Sequence, residues 1–237
     1  MGLTSRTPTE AAPPDPAPGA VAVAGTAGAA RARAADGPEG GGDPRPLTGE
    51  PLCLDLLNTR WHDRHGHHDL LAGTDGLARW LAGSRAAHRY RDGDLRADAA
   101  TLAVARQARS ALAVVAGRRP PDPPDPAALD AFNRLLEPGR IRRLLTPAGP
   151  VERTDVADPA RLLGWLAAAD YLTLLAGDPG RIRTCADPSC GLYFLDTSRN
   201  GSRRWCAGAG TGCGNRAKAA RHYARRTRSA PLPHPSA

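Results

Sequence analysis

Residues 185–228 read CADPSCGLYFLDTSRNGSRRWCAGAGTGCGNRAKAARHYARRTR and hold four of the five cysteines in the chain. These cysteines form two close pairs, C-x4-C and C-x6-C, separated by fifteen residues. Two such pairs across a short spacer can place four thiolates tetrahedrally around one ion. The spacing therefore predicts one structural Zn²⁺ bound by Cys185, Cys190, Cys206 and Cys213. Four thiolates leave no coordination position for a catalytic water.

Two other interpretations of these cysteines have less support in the sequence. Two disulfides would need an oxidising compartment, and the N-terminus lacks the basic start and leucine-rich stretch of a secretion signal. A redox-active C-x-x-C pair is excluded, because no two cysteines in the chain are separated by two residues.

The residues around the cysteines predict a small hairpin followed by a helix. Residues 191–194 and 203–205 are expected to be short strands on either side of an Asn-Gly turn at 200–201. The helix is expected at 216–228, with Asn215 as its cap. Knuckle, hairpin, knuckle and helix together indicate a treble-clef-like zinc module.

Three motifs in this segment carry a resemblance. They are Trp205-Cys206, Cys213-Gly214-Asn215-Arg216-x-Lys218 and, upstream, Phe194-Leu195-Asp196-x-Ser198-Arg199. They resemble the CGNR zinc finger of bacterial proteins that carry an N-terminal ABATE domain, and residues 49–59 resemble the opening motif of that domain. The resemblance implies DNA binding and regulation of transcription. The second cysteine pair is more widely spaced than is usual in that family.

The positive charge of the chain is concentrated in the same segment. The formal net charge is +8, yet residues 181–228 contain eleven Arg and Lys against two Asp. On a helical wheel, the cations Lys218, Arg221, Arg225 and Arg228 fall within one sector of about 80°. Tyr223 is expected on the opposite face, packed against the zinc module.

The hairpin tip adds Arg199, Arg203 and Arg204 to this predicted nucleic-acid surface. We expect nucleic acid as the partner, because this density of cations without acids exceeds what solubility requires. That the nucleic acid is DNA is what the family resemblance implies. The alternative is a zinc-stabilised module that binds a protein, or RNA, without reading DNA directly. Arg216 lies nearly opposite the basic stripe and is expected to brace the fold, with Asp196 as a candidate partner.

Upstream of the finger, residues 47–179 predict a mainly α domain with a small β-hairpin, an α+β fold. Helices are expected at 70–81, 95–116, 127–136 and 160–176, and paired strands at 140–145 and 151–154. Asp158 suits the cap of the last helix and Pro159 its first turn. Arg109 is expected on or beside the outer face of the second helix.

Two clusters of polar residues are candidate sites in this domain. Asp55 and Asn58 lie in an apolar segment whose periodicity settles neither helix nor strand; a ligand site is the less favoured interpretation, because embedded polar residues more often bond to the backbone. Residues 61–69 hold four of the seven histidines. A polar loop is favoured there over a second metal site, since clustering in sequence is not convergence in space. Sensing of a small-molecule effector by this domain is expected only by analogy with one-component regulators.

Several classes of protein are disfavoured. Residues 1–46 and 229–237 are expected to be disordered, since they offer little to bury. No stretch of about 18 apolar residues occurs, so a cytoplasmic protein without membrane association is expected. No single motif contains a nucleophile with a paired base, and none forms an open metal site. An enzyme is therefore not expected. The sequence is compatible with a homodimer.

Overall fold

The computed structural model describes residues 20–23, 43–63, 65–84, 95–117, 125–206 and 212–228. Its α-helices are α1 Leu52–Leu57, α2 Thr74–Gly83, α3 Ala99–Ala116, α4 Pro126–Leu136, α5 Leu162–Gly177 and α6 Cys213–Arg228. Its strands are β1 Ala20–Val23, β2 Arg60–Asp63, β3 Gly66–Asp69, β4 Gly139–Thr146, β5 Gly149–Val156, β6 Ile182–Thr184 and β7 Tyr193–Leu195. Helices with small antiparallel hairpins confirm the predicted α+β class.

Helix α5 lies at the centre of the core. An unbroken run of its residues, 162–168, is buried, and the helix packs against α1, α3 and α4. Asp158 begins this region as predicted: its carboxylate accepts a hydrogen bond of 3.0 Å from the Ala160 amide, and Pro159 occupies the first turn. The ring of Pro159 costs no hydrogen bond there, because the first amides of a helix have no partner within it.

The ends of the predicted helices shift where local contacts override periodicity. The helix expected at 70–81 divides into a 3-10 turn, Leu70–Ala72, and helix α2. The Asp69 side chain caps the turn by accepting from the Leu71 amide at 2.9 Å. Only glycine fits at Gly76, since a Cβ there would lie 1.6 Å from the Leu70 carbonyl oxygen.

The ambiguous segment at 52–59 is largely helical, as α1, and Cys53 packs within it as a fully buried residue. The histidine-rich segment was expected to be a polar loop, but it forms the antiparallel hairpin β2–β3. Arg109 was expected at the outer face of α3 and is instead buried. Its guanidinium bonds to Asp69 at 2.6 and 2.8 Å, because the end of β3 covers that part of the helix.

The hairpin β4–β5 confirms the predicted strand pair and extends it at both ends. Strand β1 adds to the other edge of β5, with Ala20 opposite Asp155. This pairing departs from the disorder expected for residues 1–46. An exposed sheet edge can recruit a strand through backbone groups alone, so a lack of large apolar residues does not prevent pairing.

The end of the same N-terminal segment is also ordered. Arg45 is buried and donates to the Asp55 carbonyl oxygen at 2.8 Å, and it forms ion pairs with Asp43 and Asp55. Residue 46 is therefore too late a boundary for the folded region. The expected disorder of residues 1–19, 24–42 and 229–237 lies outside the described residues. Within the described chain, no helix is long and apolar enough to cross a membrane.

Candidate metal centre and the helix that follows it

The four cysteines predicted to bind zinc converge in space. Their sulfur atoms all lie within 4.8 Å of one another. Cys206 Sγ lies 3.6 Å from Cys190 Sγ and 3.7 Å from Cys213 Sγ. A tetrahedron with Zn–S bonds of about 2.3 Å has edges of about 3.8 Å, so these separations fit one zinc ion. All four side chains are buried, and none of the chain's cysteines forms a disulfide.

The first cysteine pair is positioned by the hairpin β6–β7. Cys185 follows β6 directly, and its amide donates to the Leu192 carbonyl at 2.8 Å. Gly191, with a φ of +68°, turns the chain from Cys190 back into β7. The expected pairing of 191–194 with 203–205 is wrong: β7 pairs with Ile182–Thr184, and 203–205 is not a strand.

The loop after β7 is held from within by a buried carboxylate. Asp196 is fully buried and accepts from the amides of Ser198 and Arg203. Arg181 donates to the carbonyls of Asp196 and Ser198, at 2.9 and 2.5 Å. These bonds bring the chain back so that Cys206 reaches the first pair.

The second pair ends in helix α6, which begins at Cys213, three residues before the predicted start. Asn215 is therefore in the first turn and not the cap; its amide donates to the Gly212 carbonyl at 3.0 Å. A cysteine at the start of a helix places its sulfur near unpaired amides and the positive end of the helix dipole, which stabilises a thiolate.

Crowding affects the four thiols unequally. The hydrogen bond with Cys206 lowers the pKa of Cys190 to about 5, and the same contact raises the pKa of Cys206. Burial raises the pKa of Cys213 to about 12. Four closely packed sulfurs therefore cannot all ionise unaided, and a dication among them would offset their mutual repulsion. The donor set fits one structural Zn²⁺.

Arg216 braces this centre, but not through Asp196. Its guanidinium donates to Cys213 Sγ at 2.9 Å and to the Asp187 carboxylate at 3.1 Å. Hydrogen bonds from Ser189, supported by this arginine, lower the pKa of Asp187 to about 2. A donor to a ligating sulfur reduces the excess negative charge of a four-thiolate centre and orients the ligand.

The zinc module is docked on the helical domain through the free edge of β7. Asn58 Nδ2 donates to the Tyr193 carbonyl at 2.9 Å, and the Tyr193 amide donates to Asn58 Oδ1 at 2.8 Å. Two residues further along, the Leu195 amide donates to Glu50 at 2.8 Å. Phe194 between them is fully buried. The Asn58 side chain thus bonds to β7 as the backbone of a neighbouring strand would. Phe194 joins the zinc module to the hydrophobic core of the helical domain.

The two residues offered as a ligand site are internal. Asn58 is fully buried in this docking contact. Asp55 is 1% exposed and accepts from Trp80 Nε1 at 3.0 Å as well as from Arg45. Their partners are backbone groups and side chains of the fold, so the structure gives neither residue a path to a ligand. Glu50 and Asp187 were missed, because the partners Leu195 and Arg216, which connect them to the zinc module and to α6, are distant in sequence.

The predicted nucleic-acid residues divide into two groups. Arg203 is used internally: its guanidinium lies 4.3 Å over the Phe194 ring and donates to the carbonyls of Trp205 and Cys206. The side chains of the others that the structure describes are exposed, namely Arg199, Arg204, Lys218, Arg221 and Arg225. The Arg228 side chain lies outside the described residues.

The expected docking of α6 through Tyr223 is wrong. Tyr223 is 67% exposed, and Ala219 and Ala220 beside it on the wheel are exposed as well. The first turn of α6 contacts the zinc module, where Cys213 is buried and Arg216 is bonded to Asp187. After Ala217, every α6 side chain whose burial the structure describes is exposed.

Two family models match the chain in the order that the motifs indicate. The first, ABATE, carries the description "Putative stress-induced transcription regulator" and matches residues 50–178, more than half of the chain. The second, the CGNR zinc finger, matches residues 181–226. The chain belongs to the ABATE family and carries a CGNR zinc finger after that domain. A search of curated proteins found no match.

Proposed function

We propose that this chain binds DNA through helix α6 and regulates transcription, with the zinc ion holding that helix in place. The observation that carries the proposal is the exposed, acid-free surface of α6. After Arg216, the described cationic side chains of α6 are Lys218, Arg221 and Arg225, and all three are exposed. No Asp or Glu occurs between Arg199 and the end of the helix. Such a surface suits a row of phosphates.

The internal contacts of other arginines narrow the binding surface. Arg181, Arg183 and Arg203 donate to carbonyls within the zinc module and are committed to its fold. The exposed cations Arg199 and Arg204 lie on the loop that leads to Cys206. We infer that this loop and α6 together contact the DNA backbone, with the loop arginines adding donors to phosphate.

The zinc centre has a structural role in this proposal. Four protein ligands close the coordination sphere, so the ion supplies no site for a substrate. Because Cys213 is both a ligand and the first residue of α6, metal binding fixes the start of the helix. Docking through Asn58 then sets the direction of α6 relative to the helical domain.

The test is a salt titration of duplex DNA binding, followed by fluorescence anisotropy. Changing Lys218, Arg221, Arg225 and Arg228 to Gln should weaken binding to all sequences. It should also flatten the salt dependence by about one unit of slope for each phosphate that is no longer neutralised. The matched control changes four exposed arginines of the helical domain to Gln, namely Arg79, Arg96, Arg134 and Arg161. It alters the net charge equally.

Wild-type affinity and slope in the α6 variant would exclude α6 as the contact surface. An equal loss in both variants would indicate a non-specific effect of net charge. If RNA of the same length binds more tightly at equal salt, RNA replaces DNA as the partner. If neither nucleic acid binds, a protein partner for the zinc module becomes the leading hypothesis.

A further inference from the structure

The hairpin β2–β3 brings two of its histidines together. His62 and His67 are cross-strand partners, and their ring centroids lie 4.4 Å apart. Both side chains are exposed. The neighbouring His68 is already occupied, because it stacks on Trp61 at 4.8 Å and bonds to Asp63 at 2.9 Å. The hairpin thus separates a structural histidine from an accessible pair.

The contact of His62 with the zinc knuckle determines which nitrogen can bind a ligand. Its Nδ1 lies 3.2 Å from the Ser189 carbonyl oxygen. A carbonyl oxygen only accepts, so in the neutral imidazole Nδ1 carries the hydrogen and Nε2 keeps its lone pair. Metal-ligating histidines are typically oriented in this way, with the other ring nitrogen donating to a backbone carbonyl or a carboxylate.

Space for the remaining ligands lies beside this pair. An open cleft of about 610 Å³ lies beside the contact between the hairpin and the first zinc knuckle, and both histidines line it together with Pro188, Ser189 and Cys190. Within the described residues, the four cysteines are the only group of three or more potential metal ligands. A metal ion bound there would take two ligands from the histidine pair and the others from water in the cleft. Imidazole suits borderline dications such as Zn²⁺, Ni²⁺ and Cu²⁺.

We propose that His62 and His67 bind a second, exchangeable transition-metal dication on the wall of this cleft. Binding is transmitted to the structural zinc through the hydrogen bond from His62 to Ser189. Ser189 directly precedes the ligand Cys190, so fixing the imidazole also fixes the backbone that carries this ligand. The zinc knuckle thereby becomes less free to open when the second site is filled.

The experiment uses the full-length, untagged protein with its structural zinc loaded and weakly bound metal removed. Calorimetric titration with Ni²⁺ should show one additional site. X-ray absorption of the bound nickel should show nitrogen and oxygen ligands without sulfur, which separates this site from displacement of the structural zinc. His62→Ala and His67→Ala should each weaken Ni²⁺ binding at least about tenfold. The matched control His222→Ala changes an exposed histidine on α6 and should bind Ni²⁺ as wild type does.

The transmission is tested by the rate at which a chromogenic chelator removes the structural zinc. Saturating Ni²⁺ should slow this release in wild type and leave it unchanged in His62→Ala. The site is overturned if wild type binds no second equivalent, if nickel has sulfur ligands, or if both histidine variants bind as wild type does. Transmission is overturned if release from wild type is unaffected by Ni²⁺.

Discussion

Asn58 and Tyr193 are 135 residues apart in the chain and form a pair of reciprocal hydrogen bonds, at 2.9 and 2.8 Å. The Asn58 side chain offers one donor and one acceptor in the spacing of a neighbouring strand, and it satisfies the free edge of β7. This one side chain connects helix α1 of the ABATE domain to the strand that follows the first zinc knuckle. It contributes to the relative placement of the two units, together with the hydrogen bond from Leu195 to Glu50.

Asn58→Ala should therefore destabilise the whole chain. The substitution leaves the amide and the carbonyl of the half-buried Tyr193 without their partners, at a cost of about 2–4 kcal/mol in the free energy of unfolding. Chemical denaturation followed by circular dichroism measures this loss. The control Asn133→Ala, an exposed residue of α4, should change the free energy by less than about 0.5 kcal/mol. Equal stability of the two variants would contradict the docking role of Asn58.

Arg45→Met should also destabilise the protein, because it leaves Asp55 buried without its cation. Breaking one side of a buried pair costs about 3–5 kcal/mol at neutral pH. Burial already raises the pKa of Asp55 against the opposing effect of Arg45. A raised folded-state pKa means that stability falls as pH rises above the unfolded value of about 4. Loss of Arg45 raises this pKa further, so the deficit relative to wild type should grow from about pH 5 to pH 8.

The measurement for Arg45 is urea denaturation of both proteins across that pH range with zinc present. Adding Asp55→Asn to Arg45→Met removes the buried charge and should recover part of the stability and reduce the pH dependence of the deficit. A deficit that is constant with pH, or an unchanged deficit in the double variant, would show that Arg45 acts through packing alone.

Local sequence signals predicted the parts of the fold that depend on nearby residues. The cysteine pairs identified the zinc ligands, and Asp158 with Pro159 marked the start of the α5 region, because spacing and capping act within a few residues. The backbone bonding favoured for Asn58 is confirmed, although its partner Tyr193 is too distant in sequence to be predicted. Arg109 was misjudged because its partner Asp69 is also distant in sequence. A helical wheel shows which face of α6 is apolar, but not whether any surface lies opposite Tyr223.

Replacing a zinc ligand should remove the metal, whereas replacing the fifth cysteine should not. Cys206→Ser should reduce the zinc content from about one equivalent to near zero and unfold the module, whose structure depends on the ion. Cys53 is equally buried but packs against the helical core, so Cys53→Ala should retain the zinc. Elemental analysis of freshly reduced, untagged protein checks both. Wild-type protein that lacks zinc while the module remains folded would contradict the assignment.

The last prediction compares the two aromatic residues Phe194 and Tyr223. Phe194 is fully buried where the zinc module meets the helical domain, and truncation of such a side chain costs about 3–5 kcal/mol. Tyr223 is 67% exposed on α6, so Tyr223→Ala should change the free energy of unfolding by less than about 0.5 kcal/mol and leave the zinc content intact. Thermal unfolding with zinc analysis of both variants measures the contrast. A large loss of stability in Tyr223→Ala would mean that α6 folds back onto the module in solution, and it would remove the exposed cationic surface on which the proposed DNA contact rests.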